Sequence, residues 1–136
     1  MTVRIDQALT KRFIDSAFGL PIAHENAPYS PIAQTAYAEL RVLQNDVTPA
    51  NLKHSNESDG VLRVILRYPA GKGAVAAKTM GDNIFSEFTI GQRITYSGAT
   101  VIITSQQRQP GVQEDGWFVI VLSMAYRAYL SRVQPS

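Results

Sequence analysis

The sequence predicts an α+β fold: two helices packed on a mostly antiparallel, mixed β-sheet, in a single compact domain over residues 1–136. Helical periodicity is sustained over a long span in two stretches, one at the N-terminus and one after Gly71. The other apolar residues fall in short alternating or continuous runs punctuated by Pro, Gly and polar clusters, which is the grammar of strands. A chain of 136 residues, 45% hydrophobic and 18% charged, is long enough for one real core and ordinary in composition.

From Thr2 to Phe18, Ile5, Leu9, Phe13 and Ala17 line one helical face, widened by Val3, Ile14 and Phe18. Thr2 is placed to cap the helix, Asp6 lies near its positive end, and Gly19-Leu20-Pro21 stops it. Pro21 to Pro31 has room for no more than a short edge strand around Ile22 to Glu25. Tyr37 to Gln44 alternates, with Ala38, Leu40 and Val42 opposite Glu39 and Arg41; a helical period also fits, but the short length and flanking prolines favour a strand. Asn45 to Gly60 is polar and reads as a long mobile loop. Val61 to Tyr68 reads as a strand with Leu62, Val64 and Leu66 toward the core and Arg63 and Arg67 flanking Ile65 on the other face.

Pro69-Ala70-Gly71 ends that strand, and Lys72 to Phe88 reads as the second helix. Val75, Met80, Ile84 and Phe88, supported by Ala76, Ala77 and Phe85, form its expected buried side, and Ala74, Ala76, Ala77 and Gly81 are small enough for close packing on a sheet. Gly91 follows as a stop. Arg93 to Tyr96, Ser97-Gly98 and Ala99 to Ser105 read as a hairpin. Gln106 to Gly116 reads as a second long turn, Trp117 to Tyr126 as the most apolar and central strand, and Ser131 to Ser136 as a frayed tail. No internal repeat or low-complexity tract is present.

Composition excludes several classes of function. Lys plus Arg is 13 against 11 for Asp plus Glu, a net charge of +2 that does not mark a nucleic-acid or membrane binder, whatever the pI of about 9.0. With no Cys there is no disulfide, thiol nucleophile or cysteine metal site. No apolar run approaches the ~18 residues of a spanning helix. The N-terminus carries Asp6 and has no apolar core of a signal peptide, so the expectation is a soluble chain without a membrane partner.

No motif carries catalysis. Gly71-Lys72-Gly73-Ala74 follows a strand and opens a helix, but it lacks the first glycine of a P-loop and any Ser or Thr after Lys72. It reads as a strand-to-helix turn. His24 and His54 have no metal-ligand spacing and no nucleophile beside them, which leaves them as solvated surface histidines. The carboxylates are scattered, and Glu114-Asp115-Gly116 is turn chemistry. Arg63, Arg67, Lys72, Lys78, Arg93 and Arg108 can be drawn as a basic stripe with Tyr68 and Phe118 nearby, but the RNP signature is absent. No catalytic, cofactor-binding or metal-binding residue is assigned, and the chain is not read as an enzyme.

In order along the chain come the helix IDQALTKRF; Glu25, Asn26, Pro28 and Pro31; the strand Ala36 to Val42; Pro69-Ala70-Gly71-Lys72-Gly73; Ala76 and Ala77 on the second helix; and a closing hairpin with Val119, Val121 and Tyr126-Arg127. In this order and spacing the chain resembles the tail terminator-like proteins of long-tailed bacteriophages and prophages. The resemblance implies a virion structural protein that forms a ring, typically a homohexamer, on the head-proximal end of the tail. The ring would end polymerisation of the major tail tube protein and present a joint to the head–tail connector protein. Genomic DNA would pass through its lumen without specific binding. It also implies no cofactor, and a location in the virion tail after assembly in the bacterial host cytoplasm. On this reading Arg63, Arg67, Lys72 and Arg108 are expected at a subunit interface or lumen. Lys53, His54 and Asp59 in one loop, and Gln113 and Glu114 in the other, are expected to touch partners. The alternatives are a small nucleic-acid-binding module using a basic sheet face and another head–tail connector or completion protein.

Overall fold

The computed structural model describes residues 3–16, 18–24, 35–45, 48–49, 55–71, 74–96 and 98–131. In chain order its elements are α1 (Val3–Asp15), β1 (Ile22–His24), β2 (Tyr37–Gln44), β3 (Thr48–Pro49), β4 (Ser55–Pro69), α2 (Ala74–Glu87), β5 (Arg93–Tyr96), β6 (Ala99–Arg108), β7 (Val112–Glu114) and β8 (Trp117–Ser131). The strands form one eight-stranded sheet in the order β1-β2-β4-β8-β6-β5, with β3 added to β4 and β7 to β8. β1 and β2 run parallel and the other described pairs run antiparallel. This is the α+β, mostly antiparallel architecture that the periodicity predicts.

β4 and β8 are the spine, paired residue for residue from Ser55 opposite Ser131 to Pro69 opposite Trp117. β8 lies between β4 and β6, which is where an unbroken apolar run belongs. The two-residue period sends Leu62, Val64 and Leu66 of β4 and Ile120, Leu122 and Met124 of β8 to one face, where all six are buried. Both helices cover this face. Ile5, Leu9 and Phe13 of α1 and Ala77 and Ile84 of α2 join those strand residues in a single core, together with Phe88 just past α2. Gly81 lets α2 lie close on the sheet, since a methyl there would stand 3.3 Å from Leu122 Cδ2. Arg12 links the helices: its Nε and Nη2 donate to the Glu87 carbonyl at 3.2 and 3.1 Å, and Nη2 also meets Glu87 Oε2 at 3.1 Å.

Five expectations are corrected. The buried stripe of α2 is Ala77, Gly81 and Ile84, whereas Val75 is 78% exposed and Ala76 is exposed, because 77, 81 and 84 share a helical face that 75 and 76 leave. Ile14 does not widen the stripe of α1; it is 51% exposed. Asn45 to Gly60 is not one loop. β4 already begins at Ser55, β3 pairs Thr48 with Glu57, and the Asn45 amide donates to the Asp59 carbonyl at 2.8 Å. Gln106 to Gly116 is likewise mostly strand, with β6 reaching Arg108 and β7 pairing back onto β8 around Asp115-Gly116. In both segments a long neighbouring strand supplies the ladder, so polar side chains do not prevent pairing. Ser131 is the last residue of β8 rather than the first of a tail. Thr2, Glu25 and residues 132–136 lie outside the described residues.

Candidate interaction surface

The helices leave the second face of the sheet uncovered among the described residues. On β4 this face carries Val61, Arg63, Ile65 and Arg67, and on β8 it carries Val119 and Val121, all half-buried. A solvated antiparallel face is ordinarily polar. This one has an apolar middle with charge around it.

Glu39 organises one side. β2 aligns Glu39 opposite Ile65, so its carboxylate lies between two guanidiniums: Arg41 Nε donates to Oε2 at 2.7 Å and Arg67 Nη1 to Oε1 at 3.3 Å. Arg67 also stands over the Tyr37 ring at 5.8 Å, and Tyr37 meets Trp117 edge-on at 5.3 Å. Arg63 has no such support. It lies opposite Arg41 on β2 and Ser123 on β8, and its Nε is buried without a hydrogen-bond partner.

Of the described members of the basic stripe drawn from the sequence, Arg63 and Arg67 share the open face. Arg108 is on the helix-covered face, where Nη1 donates to Asp82 Oδ1 at 3.1 Å and the Lys78 carbonyl at 3.4 Å. Arg93 lies on the edge strand β5. Lys72, Lys53 and His54 fall outside the described residues. Asp59 is a strand residue whose Oδ1 accepts from Asn45 Nδ2 at 2.6 Å. Gln113 and Glu114 are exposed on β7, next to the two-residue turn in which Asp115 (φ 51°) and Gly116 (φ 83°) take the left-handed conformation such hairpins use.

At the far end of the spine Gly60 pairs with Tyr126. A methyl at Gly60 would collide with the Leu43 carbonyl and stand 2.6 Å from the Tyr126 hydroxyl. That hydroxyl is buried without a partner, and burial, then Asp6 and Asp59, push its pKa well above the ordinary value. Among the described residues no three His, Asp or Glu side chains converge on a metal-sized site. Also among them, no helix is long and apolar enough to cross a membrane.

Sequence reading missed the shared carboxylate of Glu39 and the apolar character of the open face. The signal for the second was present: Val61, Ile65, Val119 and Val121 alternate onto the strand face that Arg63 and Arg67 share.

No curated protein matches the chain. A solved structure without a functional name is similar over 97% of this chain and 96% of its own, at 22% identity and a TM-score of 0.73. A chain from the virion of a native gene transfer agent (GTA) particle is similar over 91% of this chain and 92% of its own, at 16% identity and a TM-score of 0.59. At these identities the likeness is one of fold. A family model described as phage tail terminator protein matches residues 4–126, from α1 into the second half of β8, and the chain belongs to that family.

Proposed function

We propose that the protein caps the head-proximal end of a phage tail tube as a ring, six copies being the expected number, and so ends tube growth and offers a joint to the head connector. The observation that carries this reading is the family match over residues 4–126, which takes in both helices and most of the paired sheet. A structural part in a phage tail, and a place in the virion tail, follow from the family itself, which is not an enzyme family. The surface is compatible with assembly. A cyclic ring joins two different patches of one subunit, and this subunit has an open, partly apolar sheet face and an exposed β7–β8 hairpin. Arg63 and Arg67 fit a subunit contact, with DNA passing through the ring without specific binding. Arg108, engaged by Asp82, acts within the subunit as a strut between β6 and α2. The apolar middle of the open face weighs against a nucleic-acid module, which uses exposed aromatics among its cations.

The test is tube growth. Purified tube protein polymerising with this protein present should give short tubes with a ring at one end by electron microscopy. Tubes of unchanged length without terminal density would contradict the reading.

A further inference from the structure

Charge pairing inside the subunit leaves two remainders. Of the described carboxylates, those outside the β7–β8 turn each have a hydrogen-bond or ion-pair partner, from Asp6 with Gln44 to Glu87 with Arg12. Glu114 and Asp115 have none in the described structure and are exposed. Among the arginines whose side chains are described, Arg63 and Arg93 lack a carboxylate, and Arg63 is the half-buried one, with its Nε sealed from solvent. An Nε buried without an acceptor carries a desolvation cost, and that cost falls when a carboxylate arrives.

The two remainders cannot meet within one subunit. Arg63 lies opposite Ser123, and the turn begins six residues before that, just ahead of Trp117. At ~3.4 Å per residue the gap is about 20 Å, several times the reach of a side chain.

We propose that the open sheet face around Arg63 is the seat for the β7–β8 turn of a neighbouring copy of this chain, with Glu114 and Asp115 closing on the Arg63 guanidinium while Val61, Ile65 and Val121 are covered. This rests on the ring reading and adds to it the two patches that meet. Charge complementarity selects the occupant: on this face Glu39 serves Arg41 and Arg67, Glu57 serves Arg127 and Asp59 is held by Asn45, which leaves Arg63 as the arginine without a carboxylate, and the turn holds two unpaired carboxylates. The patches differ, as a head-to-tail contact between identical subunits requires. A nucleic-acid strand fits less well, because its phosphates would have to settle over valine and isoleucine, and Tyr37 is buried rather than free to stack.

The experiment is a charge exchange read by native mass across a concentration series, with melting curves as the folding control. Arg63→Glu, the milder Arg63→Gln, and the turn variant Glu114→Arg/Asp115→Asn should each weaken self-association about 30-fold or more, and Arg63→Glu combined with the turn variant should restore it. Asn is chosen at 115 because it tolerates the left-handed backbone. Should Arg63→Glu not fold, Arg63→Gln and the turn variant decide. Unchanged assembly by folded single variants would overturn the proposal and leave the ring reading standing, as would failure of the combination to restore it. A wild-type chain that stays monomeric at all concentrations would also overturn it, and tube capping would then judge the ring reading separately. Loss of DNA retention without loss of assembly on Arg63→Gln would assign the residue to nucleic acid instead.

Discussion

The two faces of the sheet are built from the same strands and end in opposite states. Along β4, Leu62, Val64 and Leu66 are sealed beneath the helices, while Val61, Arg63, Ile65 and Arg67 between them stay half-buried. Along β8, Leu122 is buried against α2 at Gly81, and Val121, one residue away, lies in the open. The covered face carries the apolar contacts that hold the fold. The open face carries half-buried apolar residues around the Arg63 guanidinium, and under the proposal above that surplus is what a neighbouring copy covers.

Single substitutions should sharpen this contrast. Leu66→Ala, which opens a cavity in the covered face, should cost about 2–5 kcal/mol in urea unfolding, whereas Ile65→Ala beside it should cost only about 1 kcal/mol. Equal losses would mean that both faces support the fold alike. Gly60→Ala should cost about 1–3 kcal/mol, because its methyl meets the fixed Leu43 carbonyl and the Tyr126 hydroxyl. Arg12→Ala should cost about 1–2 kcal/mol by releasing the Glu87 carbonyl and carboxylate, and should leave association unchanged, since this clamp belongs to the covered side.

The smallest effect is expected with pH. Burial raises the pKa of Tyr68, and burial with Asp6 and Asp59 raises that of Tyr126, from an ordinary 10.0. Above pH 10 the unfolded chain releases these protons while the folded chain keeps them, so stability should fall as pH rises past about 10. Tyrosinate absorbance should show both groups titrating late in the native protein. Titration of all tyrosines near pH 10 would remove this contribution.

Much of the fold was legible in the sequence, because period decides it. β2 was read residue for residue, and α1, α2, β5 and the central place of β8 follow from spacing and apolar content. Boundaries failed where polar residues are held by a partner strand. Ser55 to Gly60 pairs with the end of β8, and Val112 to Glu114 pairs with its beginning, and neither pairing leaves a trace in local composition. The candidate surface was legible only in part. Arg63 and Arg67 share a face because their spacing is even, but Arg108 crosses to the helix side after a register shift between Ile103 and Ser105 that no spacing rule announces. Glu39 serves Arg41 and Arg67 through a β2–β4 register that only the folded sheet sets.

Val121 and Leu122 allow the most direct test of the division between the faces. Native mass and melting temperature should be measured side by side for Val121→Lys and Leu122→Ala. Val121→Lys should melt within a few degrees of wild type yet fail to assemble, whereas Leu122→Ala should melt far lower and, where still folded, assemble normally. Assembly by Val121→Lys at wild-type concentrations would contradict the assignment of the open face to a partner.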